Sequence, residues 1–265
     1  MSAARALAVA GIGAWMPGAP DWAALLGVLR GEHGLVDGAA AKPAAEVLPA
    51  AERRRAPDSV RLAAEVAIQA CRMAGHDPAE LPCVFASTHG ELAITDYVCE
   101  TLARAPIELS PTKFHNSVLN APAGYWTIAT ACTAASSAVT AHHRSFAAGL
   151  LEAMAYACAE NVPVLFACCD TGSTGPLAEM TRTTLAFGVA LVLSPAATGA
   201  RMHWSLRSAA AGAPPPPALA LQAVAGDNPT NAHALALLGA LAGRDTVDLA
   251  LPLSSGLSLD MEITP

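Results

Sequence analysis

Four short runs of unbroken apolar residues constrain this chain more than any other feature: ALAVAGIGAWM at 6–16, PCVFAS at 82–87, VPVLFACCD at 162–170 and FGVALVLS at 187–194. A strand with one wet face alternates polar and apolar residues. These runs do not, so they read as strands covered on both faces. The segments between them are long enough for helices. VRLAAEVAIQACRMAG carries Leu62, Val66, Ile68, Cys71 and Met73 as a broad apolar stripe, and residues 145–158 fit a second long helix. Buried strands separated by amphipathic helices predict an α/β layered fold. Strand order cannot be read from the chain.

The punctuation sets the expected limits of the elements. A first strand over about 6–12 ends at Pro17 and Gly18, and Asp21 is placed to cap a short helix starting at Trp22. Asp58 or Ser59 is the expected cap of the helix that Gly75 closes. Residues 34–56 read as a loop with short turns, 91–103 as a helix, and Pro106 and Pro111 bracket an exposed connection. From Pro195 the texture changes. MHWSLR reads as an edge strand and AAAGAPPPPALA at 209–220, with four consecutive prolines, as a stiff connection; a helix over 231–241 and a last strand GLSLDMEI follow.

Composition narrows the class of function. Charged residues are 14% of the chain, against roughly 25% in ordinary soluble domains, while apolar residues reach 53%. Either the core is unusually rich in alanine and helix, or part of the surface is covered by a partner. A net charge of −7 argues against a non-specific grip on nucleic acid, and Arg53, Arg54 and Arg55 are the one compact basic run. No uninterrupted apolar run reaches the length of a membrane span, and the N-terminus lacks the basic region and processing site of a secretory signal. The seven cysteines are odd in number and lie mostly in apolar stretches, so reduced thiols and a cytoplasmic location are expected.

Each candidate site has a structural reading beside its chemical one. Cys168 and Cys169 point to opposite faces of a strand and cannot chelate together; no CxxC or HExxH motif is present, and neither a metal nor a cofactor is expected. Gly11 and Gly13 begin a Gly-x-Gly pattern, but Met16 stands where a dinucleotide loop needs its third glycine. His89 and Glu91 in THGE sit at a strand end, where they serve a site or a local cap equally well. KFHNSVLNAPAG, with His115, Asn116, Ser117 and Asn120, suits a turn, a helix start or an interface loop as well as catalysis. Cys132 lies near His142 and His143 in sequence, but a thiolate mechanism needs imidazole and sulfur within hydrogen-bond reach.

VAGIGAWMPG, VFASTHGE, NAPAGYWTIA, SFAAGLLEA and FGVALVLS, taken in order, resemble the N-terminal half of the β-ketoacyl synthases of the thiolase superfamily. The set is similar in particular to the short ketoacyl-synthase-like chain length factors of aryl polyene pigment systems. The resemblance implies a thiolase-like layered α/β fold, truncated to approximately the N-terminal ketosynthase half. It implies residues 1–200 as the ketoacyl-synthase N-terminal-like domain and 201–265 as a short proline-linked C-terminal extension packed on it. Condensing synthases of this family carry a cysteine nucleophile at the start of a buried helix, with two histidines from the C-terminal half.

TAC at 130–132 looks like the cysteine motif, yet a gap-free register from NAPAG puts the nucleophile position on His143, eleven residues after Cys132. His203 and His233, in the remaining 195–265, lack the glycine-rich surroundings of the synthase histidines. The resemblance therefore implies a non-catalytic chain length factor. Its partners would be a complete ketosynthase subunit and an acyl carrier protein bearing a tethered acyl or polyene chain. A self-sufficient thiol-dependent acyltransferase or condensing enzyme using Cys132 is the alternative. Cys132, His143 and Phe146 are the expected pocket residues. Phe114, His115, Asn116 and Asn120 are expected in a loop facing the pocket or the partner.

Overall fold

The computed structural model describes residues 5–36, 42–181, 183–208, 212, 216–217, 219–226 and 228–265. In chain order the elements are β1 (Arg5–Trp15), α1 (Trp22–Leu29), α2 (Ala50–Arg55), α3 (Asp58–Ala74), β2 (Cys83–Ala86), α4 (Leu92–Arg104), α5 (Pro111–His115), α6 (Ala121–Thr130) and β3 (Ser136–Val139). Then come α7 (Ser145–Glu160), β4 (Val164–Asp170), α8 (Leu177–Thr181), β5 (Phe187–Ser194), β6 (Arg201–Arg207), α9 (Gln222–Ala225), α10 (Pro229–Ala242), β7 (Val247–Ser254) and β8 (Leu257–Thr264).

The apolar runs become the centre of an eight-stranded mixed sheet in the order β3-β2-β4-β5-β1-β6-β8-β7. β2, β3 and β4 are parallel, and every other neighbouring pair is antiparallel. β4 and β5 are buried along their whole length, as their unbroken apolar sequence demands. One side of the sheet packs on α3 and α6 through Leu62, Val66, Ala70 and Trp126. The other packs on α1, α7 and α10 through Leu25, Leu150, Met154, Leu235 and Leu238. α7 touches both β4 and β7, which lie far apart in the strand order. The sheet therefore folds back, and β6, β8 and β7 cover the far side of α7 and α10.

Local chemistry explains the limits. Asp21 caps α1 by accepting from the Ala24 amide, and Gly75 ends α3 in the left-handed conformation (φ 67°). Neither Asp58 nor Ser59 caps α3, however. The flanking residue is Pro57, and the Ser59 amide donates instead to the buried Glu91 carboxylate at 2.9 Å. The cap comes from 32 residues away, which no local pattern reveals. Gly11 and Gly13 lie inside β1, where an added Cβ would stand 2.2 Å from the Ala70 carbonyl oxygen and 2.0 Å from that of Val66. The Gly-x-Gly spacing lets α3 lie directly on the strand.

Several elements depart from the expectations. MHWSLR is an interior strand, β6, paired on both sides by β1 and β8. The edges belong to β3 and β7, neither of which was expected; α2 forms within the stretch read as a loop with short turns, and α6 takes up the helix start that was one reading of KFHNSVLNAPAG. Most of the four-proline connection lies outside the described residues. Beyond it, α10 packs on α7, and β6 to β8 extend the main sheet from β1.

Candidate functional site

The parallel strands β2, β3 and β4 end on the same side of the sheet, and the carboxyl ends of parallel strands are where α/β folds collect ligands. The turn after β2 supplies Ser87, Thr88 and His89; the turn after β3 supplies His142, His143 and Arg144; β4 ends at Asp170; α10 brings Thr230 and His233 over the top.

Asp170 is the anchor. Its buried carboxylate accepts from the Ser87 hydroxyl (2.8 Å), the Thr88 amide (2.8 Å), the Thr88 hydroxyl and the Asn228 side-chain amide (3.0 Å). Four donors offset the cost of taking a carboxylate out of water. The Thr88 and Thr230 hydroxyls share a hydrogen bond at 2.7 Å, and the Asn228 side chain caps α10 at the Thr230 amide. The C-terminal segment is thus tied to the ends of β2 and β4.

Four of the eight histidines gather beside this anchor. The His89 and His142 rings meet edge-on at 5.6 Å, and those of His142 and His143 lie 3.7 Å apart. His142 takes a left-handed backbone (φ 52°), which turns the chain into α7. Burial lowers the His89 pKa below the ordinary imidazole value; Asp170 opposes the shift and His142 adds to it. His143 is lowered by partial burial first, then by His142, His89 and Arg144. His233 is pushed down to about 4, by burial and then by His143.

The structure does not bring the expected pocket residues together. His143 is at the mouth, in the turn His142–Arg144 that precedes α7. Phe146 is fully buried one turn on, edge-to-face with Phe166 in the core. Cys132 precedes β3, at the opposite end of the sheet, 7% exposed, with its thiol donating to the Leu81 carbonyl at 3.4 Å. The whole of β3 separates it from His143, and a four-residue strand spans roughly 13 Å.

The other expected loop is divided in the same way. Asn116 is buried as a clamp, donating to the Arg55 carbonyl (3.3 Å) and accepting from the Tyr125 hydroxyl (3.1 Å). Phe114 is exposed, while His115 and Asn120 line a groove of about 460 Å³ between α2, α5 and α6, with Leu48, Val118, Tyr125 and Ile128. Asp170, Asn228, Thr230 and His233 were not singled out as site residues from sequence. Only Asp170, a lone carboxylate closing an apolar strand, carries a signal.

Among the described residues no cluster of side chains is arranged to hold a metal ion, and no helix is long and apolar enough to cross a membrane.

The family model of the β-ketoacyl synthase N-terminal domain matches residues 30–249, and no curated protein matches the chain. Among solved structures, the chain resembles the ketosynthase (ApeO) in complex with its chain length factor (ApeC) from Xenorhabdus doucetiae, with TM-score 0.70 and 22% identity over 97% of this chain and 98% of that one. It also resembles the ishigamide ketosynthase/chain length factor, with TM-score 0.66 and 13% identity over 97% and 98%. A third match is to the AntDE:AntF complex, described as a type II polyketide synthase acyl-carrier protein with its ketosynthase; its TM-score is 0.70, at 12% identity over 98% and 99%. At such identities the likeness speaks for the fold, a thiolase-like layered α/β arrangement. With the family model spanning most of its length, this chain belongs to the β-ketoacyl synthase N-terminal domain family.

Proposed function

We propose that this chain is a non-catalytic chain length factor. It pairs in the cytoplasm with a complete ketosynthase during acyl-carrier-protein-dependent elongation of an aryl polyene or a related polyketide or fatty-acid-like chain. One observation carries the reading: in the turn His142–Arg144 that leads into α7 at the mouth of the parallel strands, His143 puts an imidazole where, by its register in the family pattern, a condensing enzyme would keep a thiol. A cysteine there would gain acidity from the helix N-terminus. Five of the seven cysteines, Cys71, Cys83, Cys132, Cys168 and Cys169, are buried. Burial pushes Cys71 and Cys83 up to about 12 and also raises Cys168 and Cys169 above the ordinary thiol value. Cys132, the residue on which a self-sufficient enzyme would depend, is buried with its thiol on a carbonyl.

The surface supports a partner. β3 is an edge strand with one side unpaired, an acceptor for a neighbouring chain. α6, which leads into it, exposes Ile128 (80%) beside the apolar groove. Solved relatives of this fold include ketosynthase and chain length factor complexes. Within this reading, residues 1–200 form the ketosynthase-like domain and 201–265 an extension packed on it. The test is reconstitution of carrier protein, malonyl donor and a candidate ketosynthase, with and without this chain. Product should require both proteins, with its length distribution changed when this chain is varied. Condensation by the isolated chain at a rate comparable to the pair defeats the proposal.

A further inference from the structure

The histidine mouth holds an excess of donors and latent cations, and among the described residues the carboxylate acting on it is that of Asp170, which faces His89. The turn after β2 brings His89 and, two residues on, Glu91, whose carboxylate is engaged by the Ser59 amide. β4 brings Asp170, already saturated by four donors. α10 brings His233. β7 presents Leu249, Leu251 and Leu253 to this side of the sheet. On α7 the first ionisable side chain is Glu152, bonded to the Ser137 hydroxyl. The turn before α7 adds His142, His143 and Arg144, and no side chain caps the first amides of that helix. A helix N-terminus carries about half a positive charge, so helix and side chains here have the same sign.

A second observation points the same way. His233 is only 5% exposed, and its Nδ1 has no hydrogen-bond partner among the described residues. It lies one helical turn beyond Thr230, whose hydroxyl faces the His142 carbonyl at 3.5 Å, and its ring is close enough for the His143 charge to act on it. A buried imidazole nitrogen without a partner is costly unless something occupies the space it faces.

We propose that His89, His142, His143 and Arg144, with the first turn of α7, form a binding site for a small oxyanion, a carboxylate or a phosphate, seated against the edges of the imidazole rings. The site rests on the cluster alone and stands whether or not the elongation reading does. Burial first, and the neighbouring positive groups second, favour the neutral form of the His89 and His143 rings. An arriving anion reverses that balance, so binding draws in protons and strengthens as pH falls.

Calorimetric titration of the full chain with malonate, and separately with inorganic phosphate, at about pH 6.5 and 8.5 tests this, using two buffers of different ionisation enthalpy to count protons. The expected result is binding about tenfold tighter at the lower pH with net proton uptake, since one unit of pKa linkage is tenfold in affinity. His142→Asn, which keeps a residue tolerant of the left-handed backbone, and His143→Gln should each weaken binding by a similar factor while leaving the melting temperature unchanged. Downfield shifts of the His89, His142 and His143 ring protons on adding the anion are a second expected signature. Response to malonate alone identifies a carboxylate ligand, and response to phosphate alone a phosphate ligand. Absence of binding by either at the lower pH, or binding indifferent to pH and to both substitutions, overturns the site.

Discussion

His233 carries the largest consequence of any single residue at the site. An unfolded histidine titrates near 6.5, while in the fold burial and His143 hold this ring at about 4. Above the unfolded value both states are neutral and the residue is silent. Between about pH 6.5 and 4 the unfolded chain takes up a proton that the folded chain refuses, so stability falls through that window, by roughly 3 kcal/mol at its acid end. His89 and His143 are shifted in the same direction and add to the slope. Replacing His233 with leucine should flatten the loss: urea midpoints of wild type and variant should converge or cross as pH is lowered from 7 to 4.5. Parallel curves would falsify the assignment. The family register singles out His143, whereas His233 lacks the glycine-rich surroundings of the synthase histidines and carries no signal in sequence. Its neighbours in space come from 142–144, a relation that sequence spacing does not encode.

Between elements, the tightest relation is that of β1 and α3. Glycine inside a strand costs backbone entropy and packs no side chain. Gly11 and Gly13 are tolerated because the helix backbone comes within a Cβ's reach of them. Gly13→Ala should therefore destabilise the protein by about 3 kcal/mol, the upper range for overpacking, measured as a lowered denaturant midpoint with unchanged slope. An alanine variant as stable as wild type would mean that α3 does not sit this close. The legible elements were those whose own side chains specify them: the unbroken apolar strands, the striped helix α3, the capped α1. β7 was missed although VDLALPLS alternates, with Leu249 and Leu251 turned inward. β3 was missed for a better reason. Its four residues, SSAV, are small and partly exposed, and only pairing with β2 makes them a strand.

At the scale of the molecule, a chain with 14% charged residues exposes an apolar groove and Ile128 next to an unpaired strand edge. If that face is where the ketosynthase sits, Ile128→Asp should leave the melting temperature within a degree or two while weakening co-purification of the two chains about tenfold or more, as a buried charge without a partner does at an interface core. Retention of full affinity would move the interface elsewhere. The sequence by itself determined the layered class, the buried strands and the family. Each of these depends on residue type and local period. Tertiary structure alone decided the strand order, the remote cap of α3 by Glu91, the separation of Cys132 from His143, and the meeting of His89, His142, His143 and His233 around Asp170. Those depend on which strand ends share one side of the sheet and on how far the sheet curls back over α7 and α10, and contacts between distant segments set both.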